Sequence, residues 1–217
     1  MNRRFPRCLV AAVLVVCLAG PFVGCTKAGE KPIKLGASFP LSGEVASYGQ
    51  KAKRGIELAV EECNAKGGVL GRSVSIDFQD DRNDKKDAVS IVTKFATIDK
   101  LPVVFGSAGS SCTLAIAPIA NRNRVVLISP ISSSAQLSTD GGPFFFRTVP
   151  ADNVQAEILA KWVYATGKRR VVVIFTNNSW GKPLADGFAD RFKALGGTVV
   201  DAEETQGVTS SHCTICC

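Results

Sequence analysis

Apolar residues along this chain recur at two spacings, one typical of β-strands and the other of α-helices. Residues 33–37 form a short apolar run, and the segment after it carries apolar side chains along one helical face. This helix is predicted to end at the glycine pair 67–68, because glycine readily adopts the left-handed conformation of a helix cap. Residues 74–78 then alternate apolar and polar positions, as strands do. The pattern predicts a β-α-β unit.

The same alternation continues to about residue 200. Further strands are predicted at residues 102–106, 125–128, 144–148, 171–175 and from 198 onwards. Regular alternation predicts an α/β fold with a doubly wound parallel sheet, in which ligands bind beyond the carboxyl ends of the strands. Residues 149–152 mark a crossover, so we expect a first lobe at 33–149 and a partial second α/β lobe at 150–207.

Capping signals and a proline define the later helices. Asp84, with Asp87 three residues later, is predicted to begin one helix as a capping box. Residues 113–121 are predicted to form a helix that Pro118 kinks. Asp152 is predicted to cap another helix together with Gln155. The apolar face of that last helix is predicted from four residues: Val154, Ile158, Leu159 and Trp162.

The first 24 residues are predicted to be a secretory signal peptide. Three arginines precede an apolar stretch at 9–19, which is too short to span a bilayer comfortably. The leader segment ends Phe22-Val23-Gly24-Cys25, which resembles a bacterial lipobox with phenylalanine in place of the usual leucine. Lipidation of Cys25 would make residues 25–32 a tether and anchor the exported protein to a membrane, in the periplasm or on the outer face of the cell membrane. Ordinary cleavage nearby, with Cys25 unmodified, is the alternative.

Charge argues against a nucleic-acid partner. The formal net charge is +7, and the predicted leader carries three of these charges as arginines and no acidic residue, which leaves +4. This modest excess is spread along the chain and is typical of a solvated surface.

The remaining cysteines allow several interpretations. Cys63 lies on the apolar face of the first helix and Cys112 follows the third strand, so each is either a buried free thiol or part of a Cys63–Cys112 disulfide. His212, Cys213 and Cys216 have metal-like spacing, but a single CxxC at a chain terminus is a weak signal. We interpret residues 208–217 as an aberrant tail, and we predict no metal and no cofactor.

Four short motifs mark loops and caps between residues 33 and 202. They are Pro-Leu-Ser-Gly at 40–43 with a following Tyr-Gly, Asn-Ala-Lys-Gly-Gly-x-x-Gly at 64–71, Gly-Ser-x-x-Ser-Ser at 106–111, and Ile-Ser-Pro at 128–130. Together they resemble the periplasmic branched-chain amino acid binding proteins, the Leu/Ile/Val-binding family that supplies ABC importers. The resemblance implies a type I periplasmic binding protein fold, whose two lobes close on a ligand.

The resemblance also implies ligand-binding residues. Ser110 would hold the carboxylate of an amino acid with Ala108 beside it, while the carbonyl of Ile131 and the hydroxyl of Ser133 would face the amino acid backbone. A helix N-terminus at residues 107–111 suits a carboxylate for independent physical reasons. The alternatives are that Ser110 only caps its own helix and that residues 129–134 are a serine-rich surface turn.

Two aromatic residues complete the expected site. The resemblance implies that Tyr48 and Trp180 cover the ligand side chain from opposite lobes, and local packing of each ring is the alternative. In the family, an acidic group from the later part of the second lobe often holds the ammonium group, and no residue of this chain matches it.

The expected function is that of a solute-binding lipoprotein, with an amino acid as ligand and ABC permease subunits as partners. A ligand-sensing domain of the same fold, acting on a signalling partner, is the alternative. We expect no enzymatic activity, because the chain has a single histidine, at position 212, and no glycine-rich phosphate loop.

Overall fold

The computed structural model describes residues 31–205 and the backbone of residues 214–216. The predictions for the signal peptide, Cys25, His212 and Cys213 lie outside the described residues. In chain order the elements are β1 (Ile33–Phe39), α1 (Ala46–Ala65), β2 (Val74–Asp80), α2 (Lys85–Thr97), β3 (Val103–Gly106), α3 (Ser110–Asn123), β4 (Val126–Ser129), α4 (Leu137–Asp140), β5 (Phe145–Arg147), α5 (Asp152–Ala165), β6 (Arg170–Thr176), α6 (Gly181–Ala194), β7 (Thr198–Thr205) and β8 (Thr214–Cys216).

The first sheet contains β1 to β5 in the order β2-β1-β3-β4-β5, and every neighbouring pair is parallel. This arrangement confirms the prediction of a parallel α/β sheet. Because all five strands run the same way, the loops that follow them leave the sheet at one edge. Helix α2 packs against this sheet, since Val92 and Phe95 are fully buried in one hydrophobic cluster with Val104 and Leu127 of the strands.

The second sheet is smaller and has the order β7-β6-β8. Strands β6 and β7 are parallel, whereas β8 runs antiparallel to β6. One apolar face of α6 packs on this sheet, with Leu184, Phe188 and Phe192 buried. The sequence pattern predicted no strand at residues 214–216, which lie within the segment interpreted as an aberrant tail.

The predicted apolar face of α5 is wrong in part. Val154, Ile158 and Trp162 are 45%, 62% and 64% exposed. The helix instead buries Ala156, Ala160 and Val163. These smaller side chains face α6, where a Cβ atom added to Gly187 would lie 3.4 Å from the Cβ atom of Ala156. Close approach of the two helices therefore decides which face is buried, and the larger apolar residues remain on the solvent side.

The start of α2 agrees with one half of the predicted capping box. Asp84 is the N-cap, and its Oδ1 accepts hydrogen bonds from the backbone N–H groups of Lys86 and Asp87 at 2.7 and 3.1 Å. The reciprocal hydrogen bond of a capping box, from the Asp84 N–H to the Asp87 side chain, is absent from the described residues. The N–H of Asp84 instead donates to the carbonyl of Asp81, and the Asp87 carboxylate pairs with Arg82.

Cys63 and Cys112 are both free thiols, so the disulfide alternative is wrong. Burial raises the pKa of the Cys112 thiol to about 12, which keeps it protonated at neutral pH. Within residues 31–205, none of the helices has the length and apolar character that crossing a bilayer requires.

Candidate functional site

A buried carboxylate fixes three strand ends beneath the candidate site. Asp81 is fully buried and accepts hydrogen bonds from the hydroxyls of Ser38 and Ser107, at 3.0 and 2.6 Å, and from the N–H of Asn83 at 2.9 Å. Burial raises the pKa of this carboxyl, and the three hydrogen bonds oppose the rise. The ends of β1, β2 and β3 are thereby joined.

The loops after β3 and β4 are joined by a network of serine and threonine hydroxyls. Ser129 and Ser132 both donate to the carbonyl of Ser107, at 2.8 and 2.9 Å. The hydroxyls of Thr113 and Ser132 lie 2.6 Å apart. The two loops therefore lie at the same edge of the first sheet, as the parallel strands predicted.

Ser110 connects these loops and does not cap its helix. The N-cap of α3 is Gly109, and Ser110 follows it as the first helical residue. The Ser110 hydroxyl accepts a hydrogen bond from the N–H of Ser134 at 3.2 Å, so it can donate its own proton to another group. The capping alternative is therefore wrong. Ser110 is only 4% exposed, at the wall of a cleft.

The cleft has a volume of about 560 Å³ and is bounded by both sheets and their loops. It brings together all six residues that the sequence singled out, although their binding roles stay predictions: Tyr48, Ala108, Ser110, Ile131, Ser133 and Trp180. Eight further residues line it: Val45, Asn83, Lys85, Gly109, Ser111, Gln155, Thr176 and Asn178.

The backbone at Trp180 is held by Asn178. The Asn178 Oδ1 atom accepts hydrogen bonds from the N–H groups of Trp180 and Gly181, at 2.9 and 2.8 Å, and so fixes the loop between β6 and α6. Trp180 both packs against the core of the second sheet and lines the cleft. Tyr48 lines the cleft from α1 and is partly exposed.

Electrostatics make this cleft suitable for an anion. Lys85 is the single charged residue among the described residues that line it. The N-terminus of α3, at Gly109 and Ser110, also faces the cleft, and the N–H groups at a helix N-terminus favour negative charge. No group of three or more metal-type ligands occurs among residues 31–205.

Sequence reasoning missed Asn83 and Lys85, although a signal for them was present. Both follow β2, whose carboxyl end lies at the same edge as the two serine loops. The rule that placed the serine loops would have placed these residues as well. Gln155 and Asn178 carried no such signal, because they approach the cleft from the second sheet and its connection.

Asp152 departs from its predicted role. The N-cap of α5 is Ala151, and no side chain caps the helix. The carboxyl group of Asp152 is buried beside the cleft, and its backbone N–H donates to the carbonyl of Ser133 at 2.9 Å.

Comparison with known proteins agrees with this architecture. Residues 32–213 match the sequence profile of a family described as periplasmic binding protein. Over 169 residues the chain is 34% identical to the Leu/Ile/Val-binding protein BraC3 of Rhizobium johnstonii, covering 77% of this chain and 46% of that protein. Over 190 residues it is 30% identical to the Leu/Ile/Val-binding protein of Escherichia coli, covering 87% and 51%. The chain therefore spans about half the length of the curated relatives it matches.

A solved structure shows the same fold. The branched-chain amino acid transporter substrate binding protein LivJ of Streptococcus pneumoniae, determined in complex with isoleucine, matches with a TM-score of 0.75 at 31% identity. The match covers 83% of this chain and 52% of LivJ. The predicted type I periplasmic binding protein fold is thus confirmed for the part of the chain that is covered.

Proposed function

Because the chain belongs to the periplasmic binding protein family, we propose that it binds an amino acid or a similar small carboxylate as part of a receptor for an ABC importer. The observation that carries this proposal is the cleft at the carboxyl edge of the first sheet, where the α3 N-terminus and Ser110 meet Lys85. The N–H groups of the α3 N-terminus and the Ser110 hydroxyl are hydrogen-bond donors, and Lys85 is a cation. A carboxylate ligand is bound by groups of both kinds.

Each lining residue then has a separate role in the proposal. The hydroxyl of Ser110 and the N–H groups beside Ala108 hold the ligand carboxylate. The carbonyl of Ile131 and the hydroxyl of Ser133 accept hydrogen bonds from the ammonium group. The rings of Tyr48 and Trp180 cover the ligand side chain, since aromatic walls are common in such clefts.

The partners and the location of the protein belong to the same proposal. The names of the relatives support an exported receptor that delivers its ligand to importer permeases. We place the boundary between its two lobes near residues 149–150, where the chain leaves the first sheet. Nothing among the described residues favours the sensor alternative.

Binding of leucine to the wild-type chain, followed by calorimetry up to millimolar concentrations, tests the proposed ligand class. We expect Ser110→Ala to weaken leucine binding by at least about tenfold, because a hydrogen bond to a charged group is lost. Ser90→Ala, at an exposed position of α2, is the matched control and should bind like the wild type. The absence of binding by a folded wild-type chain, or equal binding by Ser110→Ala, would contradict the proposal.

Lipid anchoring through Cys25 is tested separately in a bacterial host. We expect Cys25→Ser to release the exported protein from the membrane fraction, because the modified thiol is lost. Cys17→Ser, within the predicted leader, should leave attachment intact. Continued membrane attachment of Cys25→Ser would rule out the anchor.

A further inference from the structure

The carboxyl group of Asp152 lies buried where the chain passes from the first sheet to the second. Asp152 is the first residue of α5 and is 2% exposed. Neither of its carboxyl oxygens has a hydrogen-bond partner of ordinary geometry among the described residues. A buried carboxyl group without partners is energetically costly. Since this one does not cap its helix, its position calls for another physical explanation.

The surroundings of Asp152 connect it to both halves of the cleft. Its N–H donates to the carbonyl of Ser133, and the guanidinium of Arg147 donates to the same carbonyl at 3.2 Å. Burial raises the pKa of the Asp152 carboxyl, while the nearby Ser133 hydroxyl, the Trp180 indole N–H and the Arg147 charge oppose the rise. The two donors lie close, although neither meets ordinary hydrogen-bond geometry. Ser133 and Trp180 both line the cleft, from opposite sheets.

We propose that Asp152 is a positioning residue of the binding cleft, whose carboxylate accepts the hydroxyl proton of Ser133 and the indole N–H of Trp180. This inference rests on the proposed function. A carboxylate has lone pairs enough for both donors, and it thereby fixes one side chain from each half of the cleft. The buried charge gains the hydrogen bonds that its burial requires.

The orientation of Ser133 has a consequence for the ligand. A serine hydroxyl has one proton and two lone pairs. When the proton points to Asp152, only lone pairs remain for the ligand, and lone pairs suit an ammonium group. A cleft organised in this way favours an α-amino acid over the same carboxylate without its amino group.

Nuclear magnetic resonance tests the contact with Trp180 without any ligand. The chain has two tryptophans, and Trp162 is exposed, so Trp162→Phe leaves the indole N–H of Trp180 as the one tryptophan signal. We expect this signal to shift with pH as Asp152 ionises, and the shift to disappear in Asp152→Asn. Asp190→Asn, at an exposed position of α6, is the matched control and should keep the shift. A shift that persists in Asp152→Asn would overturn the proposal.

Binding of leucine and of 4-methylpentanoate, which is leucine without its amino group, tests the effect on Ser133. We expect Asp152→Asn to weaken leucine binding by about tenfold more than 4-methylpentanoate binding, because loss of the contact with Trp180 affects both ligands whereas loss of the contact with Ser133 affects leucine alone. In a Ser133→Ala background the extra effect of Asp152→Asn on leucine should largely vanish, because the partner that contacts the ammonium group is absent. Equal losses for both ligands, or additive losses for leucine, would show a merely structural role.

The two experiments separate this inference from the proposed function. If the wild-type chain binds neither ligand, the proposed function fails, and the pH shift of the Trp180 signal still decides whether Asp152 holds the indole. If Asp152→Asn does not fold, Asp152→Glu replaces it. We expect the glutamate variant to keep a pH-dependent Trp180 signal, and loss of that dependence in a folded variant would overturn the inference.

Discussion

Asp81 is the residue on which the geometry of the cleft edge depends. Its carboxylate joins Ser38 and Ser107, which end neighbouring strands, to the backbone of Asn83. Complete burial makes ionisation unfavourable, yet three donors converge on the charged form. The net effect is a raised pKa, and this has a measurable consequence for stability.

We expect the wild-type protein to lose stability relative to Asp81→Asn as the pH rises. Because the pKa of Asp81 is raised by folding, the folded protein binds its proton more tightly than the unfolded chain. Stability from this group is therefore present below the ordinary carboxyl pKa and lost as the pH rises through the raised folded pKa. The difference in free energy of unfolding between the wild type and Asp81→Asn should fall over this window, which urea denaturation at a series of pH values measures.

Asp140 offers a control of opposite sign. Hydrogen bonds from Gln136 and Thr139 lower the pKa of this exposed carboxyl. Stability from Asp140 is present above the unfolded pKa and is lost as the pH falls through the lower folded pKa. The difference between the wild type and Asp140→Asn should therefore rise with pH. The same sign for both variants would contradict the account of Asp81.

At the scale of single residues, the sequence located loops better than it located side-chain partners. Ser110 and Ser133 were brought to one cleft because parallel strands end at one edge, which is a property of topology. The network around Asp81 could not be foreseen, because its partners are 26 and 43 residues away along the chain. Asp152 was assigned to a helix cap because its position favours one, whereas the tertiary structure places its carboxylate beside Ser133 and Trp180.

At the scale of elements, α6 and α5 differ in how well the positions of their large apolar residues indicate the buried face. The large apolar residues of α6 (Leu184, Phe188 and Phe192) lie along one face, and the structure buries that face. Helix α5 carries two interleaved faces, one with Ile158 and Trp162 and the other with Ala156 and Ala160. Side-chain size favoured the first, but contact with Gly187 of α6 requires the second. Such a choice depends on a partner helix that periodicity does not describe.

The packing of α2 on β1 depends on Gly36, which has no side chain. A Cβ atom added to Gly36 would lie 2.6 Å from the Phe95 ring and 3.1 Å from Leu101. Phe95 is fully buried, so it has no space into which to withdraw. The glycine in the strand thus allows the helix to lie close to the sheet.

We expect Gly36→Ala to lower the free energy of unfolding by about 1–3 kcal/mol, because the methyl group overpacks the core at Phe95. Gly55→Ala is the matched control. Gly55 lies on the exposed side of α1 with nothing within 4 Å of an added Cβ atom, so the substitution should stabilise the protein by about 0.5–1 kcal/mol. Urea denaturation measures both. Equal changes would show that contact with Phe95 is not the cause, and Phe95→Leu should relieve part of the cost in Gly36→Ala.

At the scale of the whole molecule, the cleft has unequal sides. The first sheet and its loops supply the groups suited to an anion, including Ser110 and Lys85. The second sheet and the loop after β6 supply Thr176, Asn178 and Trp180. Among the described residues, the lining contains no carboxylate to pair with an ammonium group. The lining of the cleft is thus better suited to the carboxylate end of an amino acid than to its ammonium end.

This imbalance predicts the affinity of the 217-residue chain relative to a longer relative. We expect it to bind leucine at least about tenfold more weakly than the Leu/Ile/Val-binding protein of Escherichia coli, of which it matches 51%. An ammonium group that enters the cleft without a charged partner costs about 1–3 kcal/mol, and each 1.4 kcal/mol corresponds to about a tenfold change in affinity. Side-by-side calorimetry of the two proteins measures the difference. Equal affinities would mean that neutral acceptors such as Ile131 and Ser133 satisfy the ammonium group alone, and that a carboxylate in the cleft is unnecessary for tight binding.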